Sequence, residues 1–234
     1  RTPDLAHARG LVEICVDRGT DPSDLARQIA AMSAEVEYAF VPAIRHVFGG
    51  RRAKARRDPL ASRQWGHGAV RIAHARQARH YDAASGITVA IVDTGIDASH
   101  PDLAGAIAGS RNFVTTEQDR DLIGHGTHVA GIISAGLENG IGISGLSAAR
   151  ILALKALPLD DEDWDAKAYY RALRYTIGRA QVLNLSLGGD RDDAELDILR
   201  DVIAAGIVVI AAMGNEYEEG NPIEYPAAMK AVCA

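Results

Sequence analysis

Apolar residues along this chain fall in short continuous runs: Ile87–Asp93 (ITVAIVD), Ile151–Leu157 (ILALKAL), Val182–Leu187 (VLNLSL) and Ile207–Met213 (IVVIAAM). Runs of this length, rich in β-branched residues, predict strands buried on both faces. Between them the spacing becomes helical, over His128–Ala135, Asp165–Gly178 and Ala194–Ala204. Buried strands alternating with amphipathic helices predict an α/β fold, a parallel sheet with helices on both faces.

Nearer the start the pattern changes. Leu11–Asp17 alternates as a strand does, Asp21-Pro22-Ser23-Asp24 offers caps for a helix to about Met32, and Val36–Phe48 is strand-like, with Pro42 at an edge or bend. Residues 1–50 therefore predict a small β-α-β unit, which buries too little apolar surface to stand without a larger neighbour. Residues 51–57 carry five cations in seven positions. Their self-repulsion predicts an extended linker, and the absence of interleaved aromatics argues against a nucleic-acid patch. The α/β domain then occupies residues 58–234.

Composition narrows the classes further. The chain has 234 residues, 47% of them hydrophobic, which excludes a disordered polypeptide. Its net charge of −6 repels phosphate, so no nucleic-acid partner is expected. No apolar run approaches the ~20 residues of a membrane span. Cys15 and Cys233 imply no disulfide framework. The first residue is Arg1 rather than Met, so a trimmed start is expected.

Chemistry concentrates at the carboxyl ends of the predicted strands, where open parallel sheets place their ligands. The first ends in Asp93-Thr94-Gly95-Ile96-Asp97. Taken alone, Asp93 suits a magnesium ligand, a ribose ligand or a turn cap. Gly124-His125-Gly126-Thr127-His128-Val129-Ala130-Gly131 opens a helix; its two histidines admit a metal reading, but there is no HExxH pattern and no obvious third ligand. Ser186-Leu187-Gly188-Gly189 and Ala211-Ala212-Met213-Gly214-Asn215-Glu216 each follow a strand. The asparagine suits either a left-handed turn or an amide offered to a developing negative charge. Nucleotide binding is not expected, because no glycine fingerprint joins the first strand to a helix.

Together VDTGID (92–97), HPDL (100–103), GHGTHVAG (124–131), SLGG (186–189) and AAMGNE (211–216) resemble the subtilisin-like serine proteases, the subtilases, from about Asp58 to the last residue. The resemblance implies a serine endopeptidase in which His125 is general base and then acid, Asp93 orients its imidazole and Asn215 is an oxyanion donor. It implies that Ser186, Leu187, Gly188 and Gly189 form the substrate-binding strand. The nucleophile of such enzymes stands in a GTSMA-type turn, and no serine of this sequence has that context. A carboxyl-terminal part carrying it is therefore expected to be cut away or supplied by another chain, and this chain alone to be inactive. The alternative is a non-catalytic pseudoprotease module that pairs with another chain.

Further expectations follow from the resemblance. Asp58, Asp102 and Asn139, with the carbonyls of Leu137, Ile141 and Ile143, resemble a structural calcium site of hard oxygen donors. Residues 1–50 resemble part of an inhibitory propeptide, which makes the chain zymogen-like, with its own propeptide as a partner in cis. Subtilases with propeptides are usually exported, so a secreted protein is expected, with a cytoplasmic one as the alternative. Acidic clusters near the groove, Asp163 with its neighbours and Glu216 with Glu218 and Glu219, predict a peptide or protein substrate with basic side chains, the alternative being two solvated loops.

Overall fold

A computed structural model describes residues 57–77, 81–160, 164–215, 218, 220 and 222–234, and Gln28. The chain divides into two compact units, Arg1–Arg51 and Arg52–Ala234. The expected β-α-β unit, Gln28 apart, and the linker up to Arg56 lie outside the described residues.

Five strands are described: β1 (Thr88–Asp93), β2 (Ile107–Asn112), β3 (Arg150–Lys155), β4 (Val182–Leu185) and β5 (Val208–Ala211). They form one sheet in the order β2-β3-β1-β4-β5, with every pairing parallel. From β1 the chain builds one side of the sheet with β2 and β3, then crosses to build the other with β4 and β5. Central β1 is buried from Val89 to Asp93, which accounts for its unbroken apolar run.

Three longer helices cover the sheet: α1 (His125–Ser134), α2 (Ala166–Tyr175) and α3 (Asp193–Ala204). Alternate residues of each strand serve opposite faces. On one, Ala90, Val92, Leu183 and Val209 meet Leu173 of α2 and Leu199 of α3. On the other, Val89, Ile91, Ile151 and Ala153 meet Ala130 of α1. This is the α/β architecture that the sequence pattern predicts.

The differences lie at the ends. Strand β2 was not predicted: it is an edge strand whose partly exposed IAGSRN sequence has no apolar run. Helix α1 starts at His125, three residues before the first apolar spacing, because groups outside the helix hold its glycine-rich first turn. Strand β4 stops at Leu185, after which the chain leaves the ladder and Gly189 pairs antiparallel with Tyr225. Cys233 bridges to Ile210 alongside β5, as a following strand would, but is exposed rather than buried.

Candidate active site

Asp93 is the last residue of β1 and is 1% exposed. Its Oδ1 lies 2.7 Å from Nδ1 of His125, the first residue of α1. The same oxygen accepts the Thr94 amide at 2.7 Å, while Oδ2 is buried without a hydrogen-bond partner among the described residues. The imidazole side chain is 46% exposed, so one nitrogen is fixed from below while the ring reaches solvent. A carboxylate placed this way fixes the tautomer with its proton on Nδ1, frees Nε2 to take a proton, and stabilises the imidazolium that results.

Backbone contact sets the distance between the two. A Cβ on Gly126 would stand 2.1 Å from the Gly95 carbonyl oxygen and 3.1 Å from Asp93 Oδ1. Only glycine lets the first turn of α1 rest on the end of β1 this closely.

A third residue, not singled out in the sequence, joins these parts. Oδ1 of Asp121 accepts from the Thr94 hydroxyl at 2.9 Å, the Ile123 amide at 3.1 Å and the Gly124 amide at 2.7 Å. Its Oδ2 accepts from the Thr127 amide at 2.8 Å and hydroxyl at 2.7 Å. Thr94 Oγ1 in turn accepts the Gly126 amide at 3.0 Å. Asp121 thus caps α1 from three residues ahead of Gly124, at the end where a helix favours negative charge. Burial alone would raise its pKa, but the Thr127 hydroxyl and the Gly124 and Thr127 amides hold it below the ordinary carboxylate range. The legible signal was an Asp just ahead of a helix start.

Beneath this turn, Lys155 of β3, in register with Asp93, is 2% exposed. Its Nζ lies 2.8 Å from Glu117 Oε2 and donates to the Arg120 carbonyl at 2.9 Å. Burial would raise the Glu117 carboxyl, but Lys155 and the Leu159 amide hold it low. The pair ties the chain leading to His125 onto the sheet.

Beyond β4 and β5 stand the other expected residues. Ser186 accepts the Asn184 side-chain amide at 2.9 Å, Leu187 packs at the edge of the core, and Gly188 and Gly189 are exposed. Asn215 is exposed just past β5. All follow strands adjacent to β1 or one removed, at the sheet end that carries Asp93 and His125. Asp163 and Glu216 lie outside the described residues.

The residues expected to hold calcium also gather. Asp58 and Asp102 are both buried, and neither has a cationic partner among the described residues. Asp58 accepts the Glu138 and Gly140 amides, each at 3.0 Å. Asp102 accepts the Asn139 side-chain amide and the Ile143 amide, each at 2.9 Å, and Asn139 Oδ1 accepts the Ile141 amide at 2.7 Å. The fit around them is close: a Cβ on Gly142 would stand 2.3 Å from Asp102 Oδ2. Two buried carboxylates and one amide oxygen are hard donors of the kind a divalent cation takes. Among the described residues no three His, Cys, Asp or Glu side chains converge, neither at His125 and His128 nor at this loop.

A buried carboxylate bonded to a half-exposed imidazole at the rim of a parallel sheet is an arrangement from which a general base can be built. Residues 84–234 match the model of the subtilase family, and the chain belongs to that family. It is 36% identical over 159 residues to the major intracellular serine protease of Bacillus subtilis (strain 168), covering 63% of this chain and 50% of the relative. It is 33% identical over 208 residues to a subtilisin-like protease of Coccidioides posadasii (strain C735), covering 82% and 50%. It is 39% identical over 152 residues to subtilisin amylosacchariticus of Bacillus subtilis subsp. amylosacchariticus, covering 61% and 38%. The chain thus spans about half the length, or less, of these relatives.

Proposed function

We propose that this chain contributes the base half of a serine endopeptidase active site, and that the full-length protein hydrolyses peptide bonds through an acyl-enzyme. The reading is carried by the 2.7 Å contact between buried Asp93 and His125. Nε2 of His125 has no hydrogen-bond partner among the described residues and stands ready for a serine hydroxyl. In the reaction it takes the hydroxyl proton as the oxygen attacks the carbonyl carbon, then returns that proton to the leaving amine. Asp93 keeps its charge throughout and steadies the imidazolium. The Asn215 amide donates to the carbonyl oxygen as negative charge develops there. Asp58, Asp102, Asn139 and the loop carbonyls would hold calcium, which would supply structural cross-linking there. Residues 1–50 act as a propeptide in cis, which makes the precursor a zymogen, and the substrate carries basic side chains. Two relatives bear the name intracellular serine protease, which favours a cytoplasmic location over export.

The test is peptide hydrolysis by the full-length protein and its Asp93→Asn variant. The geometry of such a variant survives while the wrong tautomer is held, so kcat is expected to fall by about 10⁴-fold, with little change in KM. Hydrolysis that Asp93→Asn leaves intact would sink the assignment. The pseudoprotease reading gains from a full-length protein that binds peptides and cleaves none.

A further inference from the structure

Helix α2 and edge strand β2 meet in a cluster of cations. The ring of Tyr175, the last residue of α2, has the Arg111 guanidinium of β2 at 4.6 Å from its centroid and the Arg179 guanidinium at 4.1 Å. Arg111 also lies 5.2 Å from the centre of the Phe113 ring, which meets Tyr175 edge-on at 5.7 Å. Arg179 is tied to the end of the helix, its Nη1 donating to the Tyr175 and Ile177 carbonyls, each at 3.2 Å. Both planar forks are therefore held in place, and stacking leaves N–H edges of each for a ligand. The Arg111 bond to the Tyr175 hydroxyl, with the Arg179 charge beside it, holds that hydroxyl below its ordinary value of 10.

Two more cations continue the cluster along the helix. Arg171 and Lys167 precede Tyr175 by four and eight positions, so all three lie along one side of α2, and both cations are exposed. Among the described residues, Lys167, Arg171, Arg111 and Arg179 have no carboxylate partner, whereas Arg174 lies 3.8 Å from Asp201 of α3. Four like charges gathered on a chain of net charge −6 repel one another, and an anionic ligand relieves that repulsion. Two observations select a peptide rather than a nucleic acid. The Phe113 and Tyr175 rings are already stacked against guanidiniums instead of free to take bases. In addition, β2 ends the sheet on its side, and among the described residues no strand pairs its outer edge. Such an edge takes an extended peptide through main-chain bonds.

We propose that β2 and the Lys167–Tyr175 side of α2 form a docking surface for an acidic, extended segment of a partner protein. Strand β3 separates β2 from β1, so this surface is distinct from the Asp93–His125 pair. The proposal stands whether or not the protease reading does.

The test is fluorescence anisotropy of labelled eight-residue peptides with full-length protein, in a His125→Ala background so that no probe is cleaved. The probes alternate Val with Glu, Gln or Lys. The Glu peptide is expected to bind at least about tenfold more tightly than the Gln peptide, and less tightly as salt rises. Arg171→Glu and Arg179→Glu are each expected to weaken it about five- to tenfold, because each removes an attraction and adds a repulsion. Arg171 touches nothing that holds the fold, so its variant is expected to keep the wild-type Tm, and its loss of binding cannot come from unfolding. The Glu peptide N-methylated at every second amide, made in both registers, keeps its charge and cannot add to a sheet edge. At least one register is expected to bind about tenfold more weakly. Equal affinity for Glu and Gln peptides, or an Arg171→Glu variant that binds the Glu peptide as well as wild type, would overturn the proposal. So would undiminished binding of both N-methylated peptides, or a single-stranded oligonucleotide that binds more tightly than the Glu peptide and depends equally on Arg171.

Discussion

Asp121 illustrates how one side chain couples a strand end to a helix start. Its five hydrogen bonds engage the Thr94 turn after β1 and the first turn of α1, so it is a positioning residue for His125. Asp121→Asn has one acceptor oxygen fewer and no charge, and cannot satisfy both the Gly124 and Thr127 amides. It is expected to cost about 1–2 kcal/mol of stability, read from the denaturant midpoint. It is also expected to lower kcat more than it raises KM, because the imidazole loses its fixed aim rather than the substrate its wall. Unchanged stability in Asp121→Asn would remove it from this role. The sequence made Asp93 and His125 legible, since each sits in a motif of distinctive residues. Asp121 was not, because most of its partners are backbone amides, which every residue has.

At the scale of elements, α2 and α3 are joined by tyrosine–carboxylate bonds as well as by apolar contact. The Tyr169 hydroxyl donates to Glu195 at 2.5 Å, and the Tyr170 hydroxyl donates to Asp192, the residue that caps α3. Burial pushes the Glu195 carboxyl above its ordinary value of 4.5 despite the Tyr169 bond, and Tyr170 is raised to about 12, first by its bond to Asp192. The raised Glu195 means that the native state holds more protons than the unfolded chain over the interval above 4.5. Stability therefore falls as pH rises through that interval and then levels off. Glu195→Gln, which keeps an acceptor for Tyr169, is expected to remove this decline. Urea midpoints for both proteins from pH 4 to 7 check it: the variant should gain on the wild type with rising pH, and parallel curves would refute the assignment. Elements like these were legible because α2 and α3 present apolar stripes and Asp caps. Strand β2 was not, since an edge strand in contact on one side needs no apolar run.

For the whole molecule, the loop that includes residues 137–143 joins Asp58, at the start of the domain, to Asp102, beyond β1. If calcium binds there, it cross-links segments that are remote in sequence. At about a hundred times its dissociation constant, calcium is expected to add about 2.7 kcal/mol of stability. For a domain of this size that raises Tm by about 5–10 °C. Asp102→Asn should abolish the rise, and magnesium should give less of it because it demands a smaller octahedral cage. Identical melting in calcium and in chelator would dismiss the site. The sequence offered these residues as ligands by type and order, but not their present hydrogen bonds to loop amides, for those depend on how the loop closes.

Gly126 bears on how this family can drift. Because its Cα rests on a carbonyl with no room for a methyl group, the Asp93–His125 pair is spaced by main chain, which ordinary side-chain replacement nearby does not alter. Mutations in the surrounding core should therefore leave activity per folded molecule almost constant while changing how many molecules are folded. Activity and abundance are then separable quantities in this protein, and only changes at the helix-to-strand seam should move the first.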